Sequence, residues 1–217
     1  MAIEIHPVSS YKTGSKWIKN SARTAAPDLI VLHETAGASG WSSYEWGIKQ
    51  ATGYHFIIDR PWPKPSEFKK SKYDGYVWQA APVERRTNHV GSTVKVGNNR
   101  SINDRSIGIS FANMSDGSEA RTQKQRQACL DLINHLVKEY PSIKYITTHY
   151  DLQIWNRHDP LGFEPFYVLQ EVGLAYLRPS EQELIDAAEA WAGSSTSRKF
   201  AVPATRNWIL GGRKAPR

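Results

Sequence analysis

A single cysteine in 217 residues leaves no internal disulfide to staple the fold. The core has to hold itself together. A chain of this length can do so, because it buries roughly 70% of its unfolded surface. Cys129 lies within an amphipathic run and reads as a buried helix thiol, not as a nucleophile. Long apolar runs are missing too: nothing approaches the ~20 apolar residues that span a bilayer. The opening MAIEIHPVSSYKTG has no basic segment leading into an apolar one, so the expectation is no secretory signal and synthesis in the cytoplasm. No internal repeat is visible. The cationic excess, 28 Lys+Arg against 21 Asp+Glu, gives a sequence pI near 9.4. It is not gathered into a basic helix with interleaved aromatics, which argues against nucleic acid as partner. An anionic envelope polymer or lipid is the polyanion it fits.

What the chain does have is a series of short apolar runs between polar loops. Residues 1–26 are polar and read as an extended N-terminal arm anchored by Trp17 and Ile18. Residues 27–178 read as the core domain, 179–192 as a C-terminal helix, and 193–217 as a basic tail with no acidic residue. Strands are expected over 28–33, 53–59, 76–80, 106–111 and 144–148, where apolar or alternating residues run for four to eight positions. Alternation puts Leu29, Val31 and His33 on one face of their strand. It likewise groups Tyr54, Phe56 and Ile58 against His55 and Ile57. Helices are expected from a Ser42 or Ser43 cap to about Ala51, over 122–140, over 166–176, and over 181–191 behind a Ser180 cap. The 60–75 segment, with its prolines and lysines, is a long loop, as is 88–104. Strands interspersed with helices imply an α/β fold, a sheet covered by helices.

The stretch ITTHYDLQIWNRHDPLG, 146–162, is where chemistry is densest. His149 ends an apolar run and Asp159 follows ten residues later, so a loop that folds back aims both at one spot. Imidazole and carboxylate are good zinc ligands, and a catalytic zinc takes three protein ligands plus a water. His33, at the end of LIVLH, is the candidate from elsewhere in the chain. His158 competes with Asp159 for the remaining position.

Four ordered blocks carry a resemblance: His33 in LIVLHETAG, Tyr54-His55 in GYHFIID, Asn103 with Ser106–Ile109 in NDRSIGI, and His149 to Asp159. Together they resemble the zinc-dependent type 2 N-acetylmuramoyl-L-alanine amidases, which share a fold with peptidoglycan recognition proteins. The resemblance covers roughly 27–173. It implies a mixed central β-sheet flanked by α-helices, with a zinc groove at one end of the sheet. It makes 27–178 the catalytic domain and assigns one zinc to His33, His149 and Asp159, preferring Asp159 to His158. Arg157 stands where relatives usually carry lysine, a position suited to stabilising an oxyanion. Ser110 stands where many relatives carry the glutamate that serves as base. Tyr54 is then the other candidate catalytic residue, with Glu34 as the fallback base. His55, His89 and Asn103 fall among groove residues that bind substrate. Trp41, Trp46, Trp62 and Trp78 are candidates for stacking on sugar rings.

The resemblance implies hydrolysis of the amide between N-acetylmuramic acid and L-alanine of peptidoglycan. The absence of a signal suits an endolysin released by a phage holin, or a cytosolic amidase that recycles muropeptides. The rival class is a recognition module that binds peptidoglycan without cutting it; such relatives typically lose a zinc ligand, whereas this chain keeps all three. The basic tail adds an expected contact with an anionic envelope surface. Nothing in the sequence speaks to oligomeric state.

Overall fold

The computed structural model describes residues 3–10, 16–37, 39–60, 73–92, 94–97, 100–116, 120–160 and 171–193. Nine strands run through it: β1 (Ile5–Pro7), β2 (Asn20–Ala22), β3 (Leu29–Glu34), β4 (Phe56–Ile58), β5 (Val77–Gln79), β6 (Arg85–Thr87), β7 (Ser106–Phe111), β8 (Tyr145–Thr148) and β9 (Ala175–Tyr176). Seven of them make one mixed sheet in the order β1-β5-β4-β7-β3-β8-β9, and β2 with β6 forms a separate two-stranded ribbon. At the centre, β3 pairs in parallel with both β7 and β8, and β4 pairs in parallel with β7. Every residue of β3 and β7 is buried. That is why β3 reads as a continuous apolar run in the sequence, since parallel strands are covered on two faces; β7, which reads as alternating, puts Ser106, Gly108 and Ser110 between its apolar residues.

The two faces differ in their cover. Ile30, Leu32, Phe56, Ile58, Ile107, Ile109 and Phe111 meet Cys129, Leu132, Ile133 and Leu136 of α3 (Gln123–Glu139). The α3 residues recur at the 3.6-residue period, so they fall on one stripe. Each such aliphatic side chain taken from water contributes ~1.5–3 kcal/mol. The helix starts at a reciprocal cap: the Thr122 hydroxyl accepts from Gln125 N–H, and the Gln125 side chain accepts from Thr122 N–H. Pro141 lies just beyond its C-terminal cap Tyr140 and cannot extend it.

The opposite face is covered by loops and short helices. Leu29 and Val31 pack there with Val90, Val94, Val96, Ile102 and Leu152. Ile57 and Trp78 pack with Val8, Ile18 and Tyr44. Alternation carries His33 onto this face, beyond Val31. The helices on this side include α1 (Gly40–Gln50), α2 (Ile102–Arg105) and α4 (His149–Leu152); α5 (Glu181–Gly193) follows β9. Buried Asp59 holds α1 in place, accepting from Gly40 N–H and from Trp78 Nε1, each at 2.8 Å. Ile18 slots under α1 between Gly47 and Gly53, where an added Cβ would come within 3.0 and 2.7 Å of its Cδ1.

Several expectations give way to the structure. Ser39, not Ser42 or Ser43, caps α1; its hydroxyl accepts from Ser42 N–H. Ala175–Tyr176, expected as the end of a helix, pair with β8 as an edge strand, while 166–170 lie outside the described residues. The first 26 residues contribute β1 at the edge of the main sheet and β2 in the ribbon. Of the two anchors expected there, Ile18 is fully buried but Trp17 is 41% exposed. Tyr54 precedes β4, so the alternation that grouped it with Phe56 and Ile58 does not reach it. Its ring packs instead on the opposite face, with the Ile57 and Trp78 cluster. Trp62, most of the 60–75 loop and the basic tail from 194 onward lie outside the described residues. No helix among the described residues is long and apolar enough to cross a membrane.

Candidate metal centre and active-site groove

One strand end, one helix start and one loop assemble the centre. His33 sits near the end of β3, opposite Ser110 of β7 in register. His149 opens α4 directly after β8, where Thr148 caps the helix by accepting from Asp151 N–H. The chain then folds back, and Tyr150 N–H donates to the Asp159 carbonyl at 2.8 Å. One ligand atom from each of His33, His149 and Asp159 lies within 4.8 Å of the others. The His149 Nδ1 is 3.1 Å from both Asp159 carboxylate oxygens, and His33 Nδ1 is 3.5 Å from Oδ2. The imidazoles of His33 and His149 are 4.5 Å apart, centre to centre. His158 is exposed and takes no part among the described residues, so the structure groups Asp159 with the two histidines.

The donor set fits a metal ion. His33 Nδ1 is fully buried and has no hydrogen-bond partner among the described residues, because its approach to Asp159 lacks hydrogen-bond geometry. An orphaned buried nitrogen costs desolvation free energy unless something occupies it. Two imidazoles and one carboxylate are the donor chemistry of catalytic zinc sites with an open position. Electrostatics agree. Burial, and then the neighbouring His149, push the His33 imidazole down to about 4, so it is neutral and able to ligate. Burial alone would raise the Asp159 carboxyl, but His149 and His33 outweigh it and hold the group well below the usual carboxylate range.

The centre opens on a groove of about 570 Å³. Its lining includes Glu34, Trp46, Tyr54, His89, Arg157 and Asp159. Trp46 of α1 is 59% exposed on the rim, as an aromatic platform would be; Trp78 is buried in the core and Trp41 packs against it. Exposed Arg157 brings a cation to the groove two residues before Asp159. The Tyr54 ring lies 4.8 Å from the His33 ring, and its hydroxyl points at the Glu34 carbonyl, 3.5 Å away. Burial, then the Asp159 charge, raise this phenol well above its ordinary range, so it stays protonated and acts as a donor. The Ser110 side chain is fully buried.

The other sequence candidates take structural places. His55 is fully buried: its Nδ1 accepts from Gly108 N–H at 3.0 Å, and its Nε2 lies 2.9 Å from the Arg85 carbonyl. It ties β4 to β6 and β7, and it does not line the groove. Asn103 is buried as well, with Oδ1 accepting from His89 N–H and Val90 N–H and Nδ2 donating to the Val90 carbonyl. It clips the 88–91 loop and is not among the groove-lining residues. His89 reaches the groove, but its Nδ1 is 2.9 Å from His33 Nε2 and its Nε2 is 3.0 Å from Ser106 Oγ. Glu34, the fallback base, is 4% exposed and ion-paired at 2.6 Å with Arg121. Sequence reasoning missed Arg121 and Gln153. Gln153 follows His149 by four residues, a spacing that places two side chains together on a helical turn; Arg121 left no local signal.

The geometry defines a mixed α/β fold that gathers two histidines and an aspartate in a groove at one end of its sheet. The chain matches the family described as N-acetylmuramoyl-L-alanine amidase over residues 23–162, more than half its length. It belongs to that family, and it is an enzyme of the type 2 class that acts on peptidoglycan. Among curated protein sequences, none matches at a significant level. Solved structures share the fold. A selenomethionine derivative of AmpD is 22% identical with a TM-score of 0.58, over 79% of this chain and 95% of that one. The amidase LysC from Clostridium intestinale URNW is 20% identical with a TM-score of 0.58, over 80% and 99%. AmiD from E. coli, solved with anhydro-N-acetylmuramic acid-L-Ala-D-gamma-Glu-L-Lys, is 23% identical with a TM-score of 0.50, over 71% and 61%.

Proposed function

We propose that this chain is a zinc-dependent amidase that cuts between the lactyl group of N-acetylmuramic acid and L-alanine, and that it acts as a lytic enzyme. The observation that carries the reading is the convergence of His33, His149 and Asp159 on a groove, with His33 Nδ1 buried and otherwise unsatisfied. Bound there, zinc supplies Lewis acidity, polarising the amide carbonyl and activating water. The residues around it do the rest. Arg157 offers a fixed positive charge to the oxygen that becomes an oxyanion; it is no proton donor near neutral pH. Tyr54 donates a hydrogen bond from the floor, orienting the attacking water or the carbonyl. Trp46 and the α1 rim receive the sugar or the stem peptide. Glu34 N–H donates to Asp159 Oδ2 at 3.3 Å and fixes the carboxylate.

The lytic role is supported by the formal charge of +7, which draws the protein to anionic wall polymers and outer-membrane lipids. In this reading the enzyme is made in the cytoplasm and reaches the wall after release. Digestion of purified sacculi, followed by mass spectrometry, tests the bond. Free stem peptides beginning with L-alanine are expected. Binding to sacculi with no released peptide would make the chain a recognition module, and cleavage confined to small soluble muropeptides would make it a recycling enzyme.

A further inference from the structure

One loop, 88–91, reaches the outer nitrogen of His33 directly through His89, and that of His149 by way of Gln153. At one end, the Ser106 hydroxyl donates to the Ile102 carbonyl at 2.5 Å, which commits its only proton. Its oxygen must then accept from His89 Nε2, 3.0 Å away. A neutral imidazole carries one proton, so His89 Nδ1 is bare and accepts from His33 Nε2 at 2.9 Å. That leaves the lone pair of His33 on Nδ1, aimed at the centre. The second histidine is fixed the same way. Gly91 N–H can only donate, and it does so to Gln153 Oε1 at 2.6 Å. The same oxygen therefore accepts from His149 Nε2 at 3.0 Å, and His149 Nδ1 is the bare nitrogen. Gln153 Nε2 donates to Asn156 Oδ1, which locks the amide in that orientation.

The loop is built to hold this arrangement. Asn103 clips it with three hydrogen bonds to His89 and Val90 backbone, at 2.7–3.1 Å. Gly108 of β7 makes room for the His89 ring: a Cβ there would lie 2.9 Å from its Cγ and Nδ1. Gly91 similarly lets the loop approach Gln153, whose amide atoms would lie 3.0–3.1 Å from an added Cβ.

We propose that the 88–91 loop, clipped by Asn103, is the orienting element of the metal centre. His89 with Ser106 and Gly91 with Gln153 set the tautomers of His33 and His149 so that both present Nδ1. These are positioning residues, since they act through the ligands. The proposal rests on the zinc reading above but is separable from it. With both Nδ1 lone pairs turned inward, two imidazoles and the Asp159 carboxylate converge on one point, and a cation is what satisfies them.

Long-range 1H–15N spectra of the metal-free wild-type protein test the tautomers directly. His33, His89 and His149 are each expected to carry their proton on Nε2. A proton on Nδ1 of His33 or His149 overturns the proposal. Zinc affinity, read by competition with a chelator, tests the consequence. Ser106→Ala and Gln153→Ala should each weaken zinc ~10–100-fold, the usual cost of removing an outer partner of a ligand. Affinities equal to wild type in folded variants also overturn it. If the variants do not fold, the wild-type spectrum decides. Failure of the wild-type chain to bind zinc at all would sink the metal reading, while the spectrum would still settle the tautomers.

Discussion

Tyr54→Phe removes one oxygen and leaves the ring in place against His33. The structure sets its cost to folding. The hydroxyl sits 3.5 Å from the Glu34 carbonyl, beyond the 2.5–3.0 Å of a sound O–H···O bond. Its loss should therefore cost less than ~1 kcal/mol, which for a chain of this size shifts Tm by no more than about 3 °C. Turnover should respond differently. A preorganised donor at the reacting oxygen or water is worth ~10²–10³ in kcat. The assay is kcat on a soluble muropeptide, beside zinc content and a thermal melt. The expected outcome is a fall of that size in kcat with zinc and Tm close to wild type. Ser110→Ala in parallel should leave kcat within a few-fold, because that hydroxyl offers no charge. Near-normal turnover in Tyr54→Phe would refute the role given to the phenol.

Arg157→Ala should lower kcat ~10²-fold or more without loss of zinc, while Arg157→Lys keeps the charge and most of the rate; equal kcat in Arg157→Ala would remove Arg157 from the mechanism. Glu34→Gln deletes the carboxylate held 2.6 Å from Arg121 in a buried pair, so it should destabilise the fold by ~3–5 kcal/mol, and Glu34→Gln/Arg121→Met should recover much of that. A Glu34→Gln protein that melts like wild type but has lost turnover would instead make Glu34 the base. Deleting the basic tail 193–217, proposed as an electrostatic anchor, should weaken binding to whole sacculi at low salt and spare cleavage of small muropeptides; equal loss on both substrates would mean that the tail supports the fold.

The parts of the fold legible in the sequence are those whose signal is longer than a few residues. β3 and β7 are six-residue runs buried on both faces, and α3 keeps its 3.6-residue period for four turns. The strands β1, β2 and β9 span two or three residues each and exist only through their partners β5, β6 and β8. No local pattern encodes them. The α1 cap went to Ser39 because three serines within five residues are equivalent candidates until Asp59 fixes where Gly40 begins the helix.

The cluster of candidate ligands was legible because His33 and His149 close apolar runs and Asp159 follows at a distance a loop can fold back. Ligand partners are a different matter. His55, His89 and Asn103 are all polar residues of the same blocks, and the sequence does not say which way each side chain points. Register does: Gly108 stands beside β3 and β4, receives the His89 ring, and gives its N–H to His55. Of these three motif residues, geometry therefore brings only His89 to the groove lining.

Zinc stoichiometry of the purified protein, measured by elemental analysis beside muropeptide hydrolysis, tests the central claim most directly. About one zinc per chain is expected, with both metal and turnover lost or greatly reduced in His33→Ala, His149→Ala and Asp159→Ala and retained in His158→Ala. Full turnover by metal-free protein, or full zinc and activity in Asp159→Ala with loss in His158→Ala, would contradict it.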